Sequence, residues 1–598
     1  MRIGVSWKKD RTQSELRPLL RELRSAYPVY EERRDAIQLV FEQVATPGVC
    51  TVRRVGNTAH IRYHCLAQAA RGVGAVLAGL ARVDERTPFT TLGIMLDCSR
   101  NAVITVDHMK KWLQRLALLG YNMAMLYTED TYALPGEPYF GFQRGRYTPD
   151  ELRELDMYAA RLGIELIPCI QTLGHLEKVL RHHAYWDVRD TPSVLMVGEP
   201  RTYQLIEKMI AQWKSVYRTR RIHIGMDEAD DLGRGRYLTL KGYRPATQLM
   251  VEHLQRVVAI CRQHGVQPMI WSDMCFRLGS PTHDYYDPHA VIPREVAQNI
   301  PPDVDLVYWD YYHREQAFYE DWIQRHRAMG KEPIMASGIW TWNRYWYDHA
   351  ATVYAANPCI DACTKLQVRE LVFTQWGDNG AYCDHDSAFA GMAWCAERAY
   401  GHALPSKSTL ERRFAAVCRA SYAVHLLASR LHSAVRDFHP DMWDDPIFET
   451  HLRTYAHDRP RVIAQIARQF AQLAARLRRH VRDRACGHVT YAFATAHAFA
   501  QRYQLFARML AAYRLGDQRS LQLAARDIPR VRRSIRSMAA AFRTMWMRHN
   551  KPQGIECIQA RFGMLDARYA ELTQRVRELS QGRITRIAEW DEPCPPNI

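Results

Sequence analysis

Leu92-Gly-Ile-Met-Leu-Asp-Cys-Ser-Arg100 is a short apolar run that stops on charged residues. A segment of this length, apolar at successive positions, suits a strand covered on both faces. The same beat returns seven times before residue 400, at 122–127, 164–170, 221–226, 267–271, 304–309, 333–336 and 370–376. Helical stretches of roughly ten to fifteen residues separate these runs. Eight β-then-α units over about 300 residues predict an α/β chain built on a (β/α)8 TIM barrel, assigned to residues 89–402.

On either side the pattern changes. Residues 1–88 mix strand-like runs at 37–44, 51–55 and 59–63 with a small-residue-rich helix from Cys65 to Leu80, which predicts an N-terminal α/β (α+β) domain. Beyond 402, strands vanish. The segments 462–481 and 531–549 are rich in Ala, Leu, Gln and Arg with helical periodicity, and Pro460, Gly487, Gly516, Pro529 and Gly554 punctuate the region. Residues 403–598 are therefore expected to form a C-terminal all-helical domain.

The 598 residues exceed one hydrophobic core, and 47% hydrophobic with 24% charged residues is a globular composition. No run approaches the roughly 20 apolar residues of a membrane span, and the first residues lack the apolar stretch of an export signal. The 14 cysteines show no Cys-x-x-Cys spacing and read as reduced thiols of a cytoplasmic protein. The net charge of +17 raises nucleic-acid binding, but no nucleic-acid motif accompanies it, and arginine-rich stretches such as 530–536 read as solvated helix faces.

A barrel places its chemistry at the C-terminal ends of its strands. There the chain carries, in order, Asp97 and Arg100; Glu129 and Asp130; Gln171 and His175; Asp227 and Glu228; Trp271 and Asp273; Trp309, Asp310 and Tyr311; Trp340 and Trp342; and Trp376 and Asp378. Singly, each has a plain structural use, such as a core indole or a helix cap; Asp150 is expected to be such a cap. Together, carboxylates, one arginine and several indoles describe a pocket for a polar ring-shaped ligand, with aromatic faces for C–H surface and charged groups for hydroxyls. Asp227 and Glu228 are sequence neighbours, about 3.8 Å apart at Cα, and are poorly placed to straddle a sugar. Division of labour fits better, with Glu228 as acid and Asp227 acting on a group of the substrate. Two close carboxylates resist ionising together, so one of them is expected to hold its proton.

The stretch His223-Ile-Gly-Met-Asp-Glu-Ala229 resembles the Asp-Glu signature of glycoside hydrolase family 20, the β-N-acetylhexosaminidases. Leu96-Asp-Cys-Ser-Arg-Asn101, Leu126-Tyr-Thr-Glu-Asp-Thr131, Pro138-Tyr-Phe-Gly-Phe142 with Arg146-Tyr-Thr148, and Trp376-Gly-Asp-Asn-Gly380 resemble its C-type exo-hexosaminidase subgroup, as does Asn550-Lys-Pro-Gln-Gly-Ile-Glu556. The resemblance implies substrate-assisted retaining hydrolysis of terminal β-linked GlcNAc or GalNAc. The substrate's acetamido oxygen attacks the anomeric carbon, Glu228 is acid then base, and Asp227 orients the acetamide. It further implies that Arg100 and Asp378 bind outer hydroxyls and that Trp309 and Trp376 wall the sugar, joined by Trp271 and Trp340. Asp130 and His175 would lie in a shell behind Glu228, and a tyrosine among Tyr311, Tyr312 and Tyr345 would meet the acetamido oxygen.

Two positions depart from the family pattern: Tyr382 where Glu is expected, and Asp230-Asp231 where His is expected. No metal or organic cofactor is implied; the pair His60 and His64 reads as structural. The partners implied are an oligosaccharide or glycoconjugate ending in N-acetylhexosamine, with a homodimer as a possible assembly. The stretch 550–556 is expected to dock the helical domain against a barrel.

Overall fold

The computed structural model describes residues 3–595 apart from 283, 293 and 402. Two compact units are present. The first comprises residues up to 339, 351–377 and 391–418; the second comprises 340–350, 378–390 and 419 onward.

The first unit opens with a sheet of six strands: β1 (Val5–Trp7), β2 (Val29–Glu31), β3 (Ile37–Gln43), β4 (Val49–Val55), β5 (Thr58–Tyr63) and β6 (Arg82–Arg86). Their order is β2-β1-β3-β5-β4-β6. Three of these were expected. β1 and β2 are three residues each, too short to show alternation, and β6 carries four charged residues, which hides its pairing edge. The helix Leu66–Leu77 packs on this sheet and is buried along nearly its whole length, as its run of Ala and Gly allows.

All eight barrel strands are found: β7 (Thr91–Asp97), β8 (Met123–Thr128), β9 (Glu165–Ile170), β10 (Arg221–His223), β11 (Gln267–Trp271), β12 (Asp305–Trp309), β13 (Ile334–Gly338) and β14 (Glu370–Gln375). They pair in parallel and close, β14 returning to β7 with Gln375 opposite Leu96. The crossover helices start on sequence-coded signals. Thr105 accepts the backbone N–H of His108, and Gly120 ends that helix at φ 95°. The helix Pro149–Arg161 begins with a capping box of Thr148 and Glu151. Thr148 is therefore the cap; Asp150 lies in the first turn, paired with Arg153.

The helix Lys407–Cys418, assigned from sequence to the helical region, packs within the first unit against Leu66–Leu77. Its Arg412 donates to the carbonyl of Ala78 and Arg413 pairs with Glu85. The second unit is helical, dominated by Pro460–Arg478, Thr490–Arg514, Ile528–His549 and Ile555–Ser580. Residues 550–556 make the turn between the last two of these: the Trp546 indole donates to the Lys551 carbonyl, and the Glu556 carboxylate accepts the N–H of Gly554. Among the described residues no helix is long and apolar enough to cross a membrane.

Candidate active site

The site is organised by an early end to β10. The strand stops at His223, and the next residues include three left-handed backbones: Gly225 (φ 74°), Met226 (φ 72°) and Glu228 (φ 49°). Such conformations are costly for residues with a Cβ and persist only where neighbours hold them. Here the Met226 N–H is taken by the Gln171 side chain at 3.2 Å, and the Glu228 N–H by Asp273 at 3.2 Å. The turn sends Asp227 inward and Glu228 outward: their side chains are 8% and 38% exposed.

His175, itself at φ 54°, lies against both carboxylates. Its Nε2 is 3.2 Å from Asp227 Oδ2 and 3.3 Å from Glu228 Oε2. Gln171 donates to Asp227 Oδ1 at 2.7 Å. Burial alone would push the Asp227 carboxyl up, but the charge of His175 and the bonds from His175 and Gln171 outweigh it and hold the group below its usual range. His175 is moved the other way. Burial opposes its charge, and the two carboxylates more than compensate, so the imidazole is raised well above its ordinary value. Two further carboxyls nearby are raised. Asp273 is pushed up to about 8 by burial and then by the charges of Asp227 and Glu228. Glu129 is pushed up to about 7 by burial, against the pull of Arg100 and His175. Of the Asp227–Glu228 pair, Asp227 is the ionised member, held so by His175.

Arg100 sits between Asp97 (3.2 Å) and Glu129 (3.3 Å), over the rings of Tyr127 and Trp376. Asp97 is fixed by the N–H groups of Ser99, Arg100 and Gly377. Trp376 donates its indole N–H to the Tyr311 hydroxyl at 3.1 Å; Tyr311 stacks on Trp309 with 5.2 Å between centroids, and Trp309 donates to Asp273 at 3.1 Å. These three rings form one hydrogen-bonded aromatic wall. Tyr285, which sequence reasoning did not single out, packs against Trp309, accepts from Arg277 and lies in the field of Glu228.

Several expectations change. Asp130 does not join His175: its carboxylate pairs with the buried Arg144 at 3.2 Å, and its neighbour Glu129 takes the pocket side. Trp271 is only 1% exposed, lying behind Trp376 and His223, so it backs the wall rather than facing a ligand. Of the candidate tyrosines, Tyr311 is in the wall, Tyr312 is exposed, and Tyr345 is buried in the second unit, where its hydroxyl accepts the N–H of Met442. Trp340 and Asp378, immediately after β13 and β14, belong to that second unit; Trp340 stacks on Trp342 at 4.3 Å, and Asp378 is half-buried. Tyr382 is buried there against Tyr345 and Trp443. Asp230 is ion-paired with Arg277. Asp97, Glu129, Gln171 and Asp273 were visible as strand-end residues, but only the fold shows that they hold Arg100, Asp227 and Glu228.

The ligand atoms of His175, Asp227 and Glu228 lie within 4.8 Å of one another, a spacing that could hold a cation. A metal there would have to displace the proton that the two carboxylates stabilise on His175.

A closed barrel with clustered carboxylates, one arginine and an aromatic wall at the C-terminal ends of its strands has the architecture of a glycoside hydrolase. Residues 89–293 match the catalytic domain of glycosyl hydrolase family 20, and residues 442–596 match the glycoside hydrolase 20C C-terminal domain. The chain belongs to glycoside hydrolase family 20. Human hexosaminidase D is 28% identical over 234 residues, covering 38% of this chain and 46% of that protein; bovine hexosaminidase D is 27% identical, covering 32% and 55%. The chain thus spans about half the length of these curated relatives. Among solved structures, the Vibrio harveyi GH20 exo-β-N-acetylglucosaminidase in complex with N-acetylglucosamine superposes with a TM-score of 0.51 at 15% identity, over 69% of this chain and 73% of that one. Streptomyces plicatus N-acetyl-β-hexosaminidase gives 0.51 at 18% identity, over 71% and 91%. At these identities the structural likeness speaks for the fold.

Proposed function

We propose that the protein is an exo-acting, retaining β-N-acetylhexosaminidase that releases terminal β-linked GlcNAc or GalNAc by substrate-assisted catalysis. The observation that carries this is the unequal pair at the end of β10: an inward carboxylate kept ionised by His175, next to an outward, half-exposed one. An anionic Asp227 suits a partner for the acetamide N–H, steering the acetamido oxygen to the anomeric carbon and offsetting the positive charge of an oxazolinium ion. Glu228 would protonate the departing oxygen and then deprotonate water. Arg100 would donate to sugar hydroxyls, and the Trp309–Tyr311–Trp376 wall would enclose the acetamido methyl. All 14 cysteines are free thiols, which supports a reducing, cytoplasmic setting.

The test compares aryl β-glycosides differing only at C2. The 2-acetamido substrate should be cleaved and the 2-hydroxyl one nearly inert. Glu228→Gln should lower kcat about a hundredfold or more on a poor leaving group and much less on a dinitrophenyl leaving group, which departs without a proton. Asp227→Asn should be impaired on both. Wild-type rates from either variant, or equal cleavage of the two sugars, would reject the proposal.

A further inference from the structure

The loops that follow β9 and β10 border an open cavity of about 670 Å³, lined by His183, Trp186, Asp187, Arg189, Arg201 and Arg236 together with Ala184 and Asp190. This is a volume typical of small-ligand sites. Its wall is stitched to the catalytic loops on both sides. The Leu176 N–H donates to the Ser193 carbonyl and the Leu195 N–H to the Leu173 carbonyl, which ties the wall to the loop carrying His175. Asp190 ties it to the segment just past Glu228: its carboxylate accepts the N–H groups of Gly233 and Tyr237, both at 2.7 Å, and its carbonyl accepts that of Arg236. The seam is tight, since a Cβ on Gly235 would lie 2.2 Å from the Asp190 carbonyl oxygen.

The charges in this cavity do not cancel. Asp190 is consumed by backbone donors. Asp187 is consumed by Arg201 at 2.6 Å, and Arg201 also approaches Glu137 at 3.9 Å. Arg236 is held in place by the carbonyls of Trp186 and Asp187, at 2.9 and 2.8 Å, and has no carboxylate partner among the described residues. Arg189 is partly buried, and among the described residues its guanidinium has no hydrogen-bond or ion-pair partner. The lining thus sets three arginines against two aspartates, and on this net positive surface the planar forks of Arg189 and the exposed Arg236 suit a carboxylate. Trp186, 53% exposed and packed against His183, presents an indole of the kind that covers a sugar ring.

We propose that this cavity binds a carboxylate-bearing sugar on the leaving-group side of the scissile bond, with Arg189 and Arg236 on the carboxylate and Trp186 against the ring. That position in the substrate rests on the hydrolytic proposal above; the affinity of the cavity for an acidic sugar does not.

Three disaccharides test it: GlcNAc β-linked to glucuronic acid, GlcNAc β-linked to N-acetylmuramic acid, and GlcNAc β-linked to GlcNAc as the neutral control. The two acidic arms distinguish a ring carboxylate from a lactyl one. The wild type should favour at least one acidic disaccharide over the neutral one. Arg189→Gln should lower kcat/KM for that substrate about tenfold, the worth of a charged hydrogen bond, while the neutral disaccharide and an aryl N-acetyl-β-glucosaminide are unchanged. Trp186→Ala should weaken all three disaccharides but spare the aryl glycoside. Equal effects of Arg189→Gln on acidic and neutral disaccharides, or none on either, overturn the proposal while the aryl arm still reports the hydrolase. If the aryl arm is inert, calorimetric binding of the acidic disaccharides decides: a tenfold weaker Kd in Arg189→Gln upholds the cavity without the chemistry, and no binding removes both.

Discussion

Asp273 is the residue whose chemistry the fold changes most. In sequence it is an acid after a tryptophan at a strand end. In the structure it is fully buried and accepts from the Glu228 backbone and the Trp309 indole, so it holds both the left-handed turn and the aromatic wall. Its folded pKa of about 8 lies above the unfolded value of about 3.9. Its contribution to stability is therefore complete below the unfolded value and lost as pH rises through about 8. Asp273→Asn removes that titration. We expect the variant's melting temperature to change less than the wild type's between acid and mildly alkaline pH, with kcat reduced because Glu228 is less well held. A parallel pH profile of melting for the two proteins would show that Asp273 does not carry a buried proton.

At the scale of elements, the decisive feature is the three-residue β10 with the turn that follows. Gly225 stands where a Cβ would lie 2.1 Å from Gln171 Oε1. That amide cannot yield freely, because it is bonded to Asp227, Tyr127 and the Met226 N–H. Gly225→Ala should therefore displace the group that orients Asp227 and lower kcat by about tenfold or more, in line with what a misplaced catalytic contact costs. Gly265 is the control. It too is left-handed, at φ 64°, but nothing lies within 4 Å of its would-be Cβ. Gly265→Ala should cost about 1 kcal/mol of stability and leave kcat untouched. Equal loss of kcat in the two variants would mean that backbone strain, not displacement of Gln171, governs the site.

At the scale of the molecule, four charges bind the first unit together, three of them buried and Glu85 partly so. Arg71 on Leu66–Leu77 reaches Glu85 of β6 at 2.7 Å and Glu397 at 2.8 Å, and Arg413 on Lys407–Cys418 meets the same two carboxylates at 2.7 and 3.0 Å. The network joins the six-stranded sheet, the last crossover helix of the barrel and the helix after it. Removing one partner of such a set leaves an uncompensated buried charge. Glu397→Gln should destabilise the protein by about 3 kcal/mol or more in urea denaturation without changing activity in its absence. An unchanged midpoint would mean that packing alone joins these elements. The net charge of +17 has a structural side as well: in the helical unit Arg532 and Arg536 share Asp566, Arg568 pairs with Asp445, and Arg575 pairs with Glu589.

The barrel was legible in the chain because strands buried on both faces are continuous apolar runs, and each of the eight announces itself locally. Asp227, Glu228, Arg100 and the indoles were legible because a barrel collects strand ends on one rim. The short strands β1 and β2 were not, since three residues carry no period. Nor was the partner of any side chain. Glu129 and Asp130 are adjacent and chemically alike, yet one faces Arg100 and the other Arg144; which does so depends on strand pleat and loop path. The same holds for the proton. Composition and spacing place two acids side by side, but only packing around His175, Gln171 and Asp273 determines which carboxyl is ionised, because that depends on distances and burial among residues far apart in the chain.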